Sequence, residues 1–255
     1  MPQRVLVRDP ARAPELPGAT TAVAAYDDRD RAASALAGVR TLLMVSAAES
    51  ADRLDQHRAF VDAAAEAGVE HVVYTSFYGA SPTCTFTLGR DHWATEEHIR
   101  GSGMAFTFLR DNFYVDFLPD LVGEDGVIRG PAGDGRVAAV TRDDIAASAV
   151  AVLLSPGEHR GATYDLTGPE ALTFTEIAAI LARHTGRAIG FHDETVEEAY
   201  ASRRRWDAPQ WQYDAWVSTY TAIARGELAG VTDHVERLTG RPPTGLAAYL
   251  HARPG

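Results

Sequence analysis

Short apolar segments alternate with helix-forming segments through the first 110 residues, and this alternation constrains the fold more than any other feature. The predicted strands lie at residues 4–8, 21–26, 41–46, 70–76 and 105–110. The predicted helices lie at residues 30–36, 52–67 and 90–100. Such alternation is typical of a parallel sheet covered by helices. The continuous apolar runs at 42–45 and 72–74 agree, since both faces of such strands are buried. The sequence therefore predicts an α/β fold.

The first predicted strand matches the second strand of a dinucleotide-binding fold, and no glycine-rich turn precedes it. In such folds the first strand and its G-x-G-x-x-G turn hold the pyrophosphate at a helix N-terminus. That strand is central in the order 3-2-1-4-5-6. We therefore predict a Rossmann-like sheet that lacks its first strand, has a gap there, and binds NADP(H) weakly. A start codon assigned too late is the favoured explanation, because excising a central strand exposes two strand edges.

After residue 110 the pattern changes to turns, short strands and helices. The run Gly133-Asp134-Gly135 begins a match to G-x-G-x-x-A, but it precedes a predicted strand at 136–140 and is not a phosphate loop. Thr173 is predicted to cap a helix, with Glu176 at the capping-box position. Beyond residue 189 the chain is mostly helical and aromatic. We predict an incomplete Rossmann-like domain over residues 1–150 and a small C-terminal lobe over residues 151–255, with interleaved segments.

Composition excludes several classes of function. The net charge of −11 argues against nucleic-acid and anionic-membrane partners. No apolar run approaches the roughly 20 residues of a membrane span, and no signal-peptide pattern occurs. Cys84 is the single cysteine, so an internal disulfide framework is excluded. The histidines and acids lack metal-ligand spacing, so no metal is predicted. A cytoplasmic protein is expected.

All 24 residues counted as lysine or arginine are arginines. A lysine Schiff base and the Tyr-x-x-x-Lys pair of ordinary short-chain dehydrogenases are therefore impossible. Arginine stays protonated and cannot serve as a base. Any proton donor must be His, Tyr, Asp, Glu or water.

Two neighbouring predicted strands end in small or hydroxyl-bearing residues. The strand at 41–46 ends in Val45-Ser46, and the strand at 70–76 ends in Thr75-Ser76. Ligands of open α/β sheets bind outside the carboxyl ends of the strands, so these four residues are predicted to contact a cofactor. A serine that caps a loop explains each of them singly. Arg8 ends the first strand, where an arginine accommodates the 2′-phosphate of NADP. A solvated arginine at a strand end is the alternative.

Ordered motifs along the chain resemble one family. They include 35–39 (ALAGV), 69–76 (VEHVVYTS), 109–114 (LRDNFY), 133–136 (GDGR), 141–146 (TRDDIA), 164–168 (YDLTG) and 238–243 (LTGRPP). The set is similar to the NmrA-like atypical short-chain dehydrogenases, and most similar to their bacterial NADPH-dependent quinone oxidoreductases. It covers nearly the whole chain. Two departures are the missing glycine turn and Ala25, where the family usually has an Asp.

The resemblance implies an NADP(H)-binding domain and a lobe that closes a cleft for a small-molecule acceptor, a quinone or a related carbonyl. By position, the acceptor pocket holds Phe77, Tyr78, His92, Asn112, Phe113 and Tyr114. Asn112, Tyr114 and His92 are the catalytic candidates, and Asn112 is predicted to bond an acceptor carbonyl. His92 in a packed role is the alternative.

Two other classes of function stay open from the sequence. A non-catalytic sensor would bind dinucleotide without oxidising it when an acceptor is added. A divergent relative that has lost the cofactor would use its aromatic cleft for another reaction or for binding. The oligomeric state is left open, a homodimer included.

Overall fold

A four-stranded parallel sheet forms the centre of the computed structural model, which describes residues 2–253. Its strands run in the order β3-β4-β5-β8. They are β3 (Thr41–Met44), β4 (His71–Phe77), β5 (Ala105–Asp111) and β8 (Ala162–Leu166). The side chains of β4 from His71 to Ser76 are all buried, which explains its continuous apolar run. The predicted α/β, Rossmann-like fold is confirmed.

A separate sheet of two parallel strands contains β1 (Gln3–Val7) and β2 (Ala19–Val23). Within residues 2–253, no backbone hydrogen bond joins this pair to the four-stranded sheet. The separation agrees with the predicted gap. Side chains connect the two parts instead, as where the Tyr26 ring stacks on Phe60 with 4.1 Å between ring centroids.

Helices cover both faces of the four-stranded sheet. Val72 and Tyr74 of β4 pack in one core with α1 (Arg29–Leu36), α2 (Arg53–Glu66) and α3 (Thr87–Gly101). Val73 points to the other face and packs against α4 (Arg142–Leu154). The alternation follows from the two-residue period of a strand.

The remaining elements form a lobe with its own core, which includes Ile128, Phe174, Ile177 and Ile223. Its two strand pairs are β6 (Val127–Gly130) with β10 (Gly190–Asp193), parallel, and β7 (Arg136–Val137) with β9 (Leu172–Thr173), antiparallel. Its helices are α5 (Phe174–Thr185), α6 (Val196–Arg203), α7 (Gln210–Ala224) and α9 (Leu246–Ala252). Helix α8 (His234–Thr239) packs on α4, and single 3₁₀ turns lie at Pro10–Arg12, Val115–Phe117, Pro119–Leu121 and Pro156–His159.

Three local predictions can be compared with this structure. The capping box of Thr173 and Glu176 is confirmed. Gly135 leads directly into β7 and opens no helix, as predicted, and a Cβ atom there would lie 2.2 Å from the carbonyl oxygen of Ile223. The strand predicted at 136–140 is shorter in the structure. It covers only Arg136–Val137, and Val140 instead forms an isolated bridge with Tyr114.

Among residues 2–253, no helix combines the length and apolar character that crossing a bilayer requires.

Candidate functional site

The candidate site lies at the carboxyl ends of β3, β4 and β5, where a three-residue segment, the 45–47 loop, follows β3. Thr75 Oγ1 accepts a hydrogen bond from Ser46 N at 2.9 Å, so two residues predicted to bind a cofactor are in contact. The Tyr26 hydroxyl donates to the carbonyl oxygen of Val45 at 2.7 Å. The backbone of this loop is therefore fixed by side chains from two different parts of the fold.

Helix α2 fixes the other end of the 45–47 loop. His57 Nε2 accepts a hydrogen bond from Ala47 N at 2.8 Å, and Arg53 Nε donates to the carbonyl oxygen of Ala47 at 2.9 Å. Arg53 and His57 are four residues apart, which places them on one face of the helix. Both side chains are buried. The loop is thus a rigid platform, and not a segment that a ligand would have to order.

His57 is neutral, and its tautomer follows from its partners. Thr95 donates its hydroxyl hydrogen to the carbonyl oxygen of Asp91, so it accepts from His57 Nδ1 at 2.9 Å. His57 Nε2 then carries no hydrogen and can accept from Ala47 N. Burial, with a smaller contribution from the Arg53 charge, lowers the pKa of His57 to about 3.

His92 is buried in the same network. Arginine can only donate, so Arg53 Nη2 donates to His92 Nε2 at 2.9 Å, and His92 Nδ1 donates to the Tyr74 hydroxyl at 3.0 Å. Burial holds the pKa of His92 well below its ordinary value. Both ring nitrogens are occupied, so the structure favours the packed alternative. We therefore do not propose His92 as a proton donor.

Ser76 points to the opposite face of β4 from Thr75. Its hydroxyl donates to Glu96 of α3 at 2.6 Å. Glu96 is fully buried and accepts two further hydrogen bonds from Arg110, at 2.8 and 2.7 Å. The Ser76 hydroxyl is therefore committed to this ion pair. Its predicted contact with a cofactor stays a prediction.

Asn112 joins the end of β5 to the lobe. Its amide donates to the carbonyl oxygen of Leu228 at 3.0 Å, and its amide oxygen accepts from Phe113 N at 2.7 Å. The residue is fully buried. These contacts support a structural role, and the predicted bond to an acceptor carbonyl stays a prediction.

Tyr114 is the partly buried candidate whose hydroxyl lies beside an acid. Tyr114 Oη is 3.3 Å from Asp111 Oδ2, and the Arg142 guanidinium lies 5.6 Å from the centre of the Tyr114 ring. Burial and the adjacent Asp111 raise the pKa of Tyr114, while the charges of Arg142 and Arg53 oppose this. Tyr114 follows the carboxyl end of β5, as the 45–47 loop follows that of β3, so both lie at the same edge of the parallel sheet.

Phe77, Tyr78 and Phe113 are partly buried and pack against the core of the lobe. Tyr78 lies so close to Gly230 that a Cβ atom there would be 2.0 Å from the tyrosine hydroxyl. The three aromatic side chains therefore lie between the sheet and the lobe. Their contact with an acceptor stays a prediction.

Arg8 is exposed at the end of β1. Burial raises the pKa of Tyr26, whose hydroxyl binds the 45–47 loop, to about 12, and the charge of Arg8 opposes this rise. Arg53 Nη1 and Asp111 Oδ1 are buried polar atoms without a hydrogen-bond partner in the described structure, and Arg53 Nη1 lies 3.7 Å from Asp91 Oδ2. The orphaned Arg53 nitrogen suits an anionic group such as a phosphate. Within residues 2–253, no turn with two glycines joins a strand to a helix at this edge, so no backbone cradle for a pyrophosphate is present there. No cluster of three or more potential metal ligands occurs in the same residues.

The sequence analysis did not identify Arg53, His57 or Glu96 as members of a polar network. A signal was present, because residues 53 and 57 on α2, and 92 and 96 on α3, are four residues apart. Polar residues at this spacing share one face of a helix. Two such faces that flank β4 point to a buried polar network.

The chain is similar in sequence and overall fold to several known proteins. A family model described as the NmrA-like family matches residues 1–202. The chain is 34% identical over 247 residues to quinone oxidoreductase 2 of Escherichia coli, covering 95% of this chain and 86% of that protein. It is also 34% identical over 257 residues to an NAD(P)H azoreductase of Xenophilus azovorans, covering 99% and 89%. The crystal structure of an Escherichia coli NADPH-dependent quinone oxidoreductase complexed with NADPH aligns with a TM-score of 0.89 at 33% identity, covering 98% of this chain and 89% of that one.

Proposed function

The chain belongs to the NmrA-like family, and we propose that it is an NAD(P)H-dependent oxidoreductase that reduces a quinone or a related carbonyl acceptor. The observation that carries the proposal is the 45–47 loop, which four side chains fix at the sheet edge where ligands of α/β folds bind, with Tyr114 following β5 at the same edge. The similarity to a quinone oxidoreductase and an azoreductase supports a small-molecule acceptor.

In this proposal the bound nicotinamide supplies a hydride, and the chain positions the acceptor and supplies a proton. The 45–47 loop holds its shape before any ligand arrives, which lowers the entropic cost of binding. The rings of Phe77, Tyr78 and Phe113 give the acceptor an apolar surface. Tyr114 gives a proton to the reduced oxygen.

Arg8 is proposed to select NADPH over NADH. Replacing it with alanine removes one charge-assisted contact to a 2′-phosphate, worth about 1.5–3 kcal/mol, or about tenfold or more in affinity. We expect the Kd for NADPH to rise by that factor and the Kd for NADH to change little, measured by calorimetric titration. The matched control is Arg12→Ala, which removes an exposed charge from the adjacent turn. Equal effects of Arg8→Ala on both cofactors would assign Arg8 to the surface alone.

The function is tested by following NADPH oxidation after addition of a benzoquinone, a naphthoquinone or an azo dye. We expect turnover by the wild-type chain at saturating NADPH. Tyr114→Phe should lower kcat by about a hundredfold, the low end of general-acid effects, because quinone reduction is intrinsically easy. KM for the acceptor should change little.

Tyr164→Phe is the matched control, because Tyr164 lies on β8, where its hydroxyl is hydrogen-bonded to His159 and its ring packs with α4. It should keep the wild-type kcat. Bound NADPH without oxidation in the presence of every acceptor would contradict the proposal and favour the sensor. An unchanged kcat in Tyr114→Phe would remove Tyr114 from the reaction.

A further inference from the structure

We infer that Asp111 is a neutral carboxylic acid that recharges Tyr114 with the proton that the phenol gives to the acceptor. The inference rests on the proposed function, and it adds the source of the proton. Asp111 ends β5 and is only 1% exposed. Its Oδ2 lies 3.3 Å from Tyr114 Oη. Its Oδ1 is buried and has no hydrogen-bond partner among the residues described.

The other buried carboxyl groups show how unusual this arrangement is for the chain. Four acidic side chains are buried in the described structure, and three of them are paired with an arginine. These pairs are Glu96 with Arg110 at 2.7 Å, Asp144 with Arg241 at 2.6 Å and Glu194 with Arg203 at 2.8 Å. Within residues 2–253, Asp111 is the member of the group without an ion pair. A buried carboxylate without a cation is costly, so such a group keeps its proton.

The charged groups around Asp111 do not change this conclusion. Arg110, the preceding residue, points to the opposite face of the sheet and binds Glu96. Asp165 on β8 lies level with Arg110, whose charge acts on it. Arg142 and Arg53 act on the Tyr114 phenol. Burial raises the pKa of Asp111 well above its ordinary value, and the Tyr114 hydrogen bond opposes this only in part.

A neutral Asp111 makes it possible for the hydrogen bond between the two side chains to run from the acid to the phenol. When Asp111 Oδ2 carries the hydrogen, it donates to Tyr114 Oη, and the phenol hydrogen is released to point at a ligand. An ionised Asp111 would instead accept the phenol hydrogen and hold it away from the acceptor. Protonated Asp111 is therefore the state in which the Tyr114 hydrogen is available to an acceptor.

The proton steps balance in this arrangement. Hydride addition, with reduced nicotinamide as the reductant, leaves an electron pair on the acceptor oxygen. The Tyr114 Oη–H bond breaks as the new O–H bond of the product forms. The Asp111 Oδ2–H bond then breaks as the phenol hydrogen is restored. Asp111 is left as a carboxylate, and water returns one proton to it for each hydride transferred.

Infrared difference spectroscopy tests the state of Asp111 without any cofactor. At pH 7 the wild-type chain should show the carbonyl band of a protonated carboxylic acid, and Asp111→Asn should abolish it. Tyr114→Phe, which removes the hydrogen bond, should shift the band. Asp165→Asn, on the neighbouring strand, is the matched control and should leave the band in place. An ionised Asp111 at pH 7, shown by the absence of the band, would overturn the inference.

The pH dependence of stability gives a second measurement that is independent of activity. A raised pKa means that the folded chain binds more protons than the unfolded chain above about pH 4, so this contribution to stability falls as pH rises. The melting temperature of Asp111→Asn, relative to that of the wild type, should therefore increase as the pH is raised from 4 to 8. Parallel curves would contradict a neutral Asp111.

Kinetics test the delivery of the proton. Asp111→Asn should lower kcat by about tenfold with little change in KM, because water recharges Tyr114 more slowly. The alkaline decline of the wild-type rate, caused by ionisation of Asp111, should disappear in this variant. A wild-type rate in Asp111→Asn would overturn the proton transfer. A wild-type chain without turnover would refute the proposed function instead, and the infrared band alone would then decide the state of Asp111.

Discussion

Replacing Glu96 with alanine should lower the free energy of unfolding by about 3–5 kcal/mol, the typical cost of removing one partner from a buried ion pair. Glu96 is fully buried and accepts hydrogen bonds from Ser76, Arg110 and Arg100. Its loss leaves the Arg110 guanidinium half-buried without its carboxylate. Chemical denaturation at pH 7 measures the effect.

Glu97→Ala is the matched control for this experiment. Glu97 is the residue after Glu96 in α3, and it also pairs with Arg100. Its side chain, however, is 49% exposed. Exposed ion pairs contribute about 0–1 kcal/mol, so the control should be nearly as stable as the wild type. A similar loss in both variants would mean that helix α3, and not the buried pair, is sensitive to substitution.

The free energy of unfolding should decrease as the pH is lowered from 7 to 3, mainly because a buried histidine must be protonated in the unfolded chain. Burial lowers the pKa of His57 from 6.5 to about 3 in the folded chain. Between these values the unfolded chain binds more protons, so stability falls as pH decreases through this window. Between pH 7 and pH 3 His57 alone accounts for about 4 kcal/mol. His92, whose pKa is lowered in the same direction, adds to the loss.

Denaturation curves at several pH values between 3 and 7 measure this slope. His57→Gln should flatten it, since glutamine offers an oxygen to Ala47 N and does not titrate. His98→Gln is the control, because His98 bonds Asp62 on the helix surface and is not buried. An unchanged slope in His57→Gln would show that other groups dominate acid unfolding.

The sequence predicted the sheet well because burial on both faces leaves a strong pattern. Strand β4 was predicted at 70–76 and is observed at His71–Phe77, and β5 was predicted at 105–110 and is observed at Ala105–Asp111. Strands β6 and β10 were not predicted. They are four residues long and pair across some 60 positions of sequence, and neither has an apolar run that sets it apart.

The site was predicted in position but less well in role. Contact between Ser46 and Thr75 follows from where parallel strands end, which a sequence can show. The state of His92 depends on Arg53 and Tyr74, which reach it from a different helix and a strand. Asn112 likewise takes its partner from Leu228, 116 residues away. Partners of this kind arise from tertiary packing, and local spacing carries no record of them.

The division into two sheets leaves the N-terminal unit, strands β1 and β2, joined to the larger sheet by side-chain packing without a shared backbone hydrogen bond in the described part of the chain. Residues 2–36 are held to the larger sheet by side chains such as the Tyr26 ring on Phe60 and the Tyr26 hydroxyl on Val45. We expect this pair of strands to open at a lower free energy than the whole chain unfolds. Opening would also release one of the four side chains that fix the 45–47 loop. A ligand that touches both Arg8 and this loop bridges the two sheets, so its binding and the closure of the N-terminal unit become one coupled equilibrium.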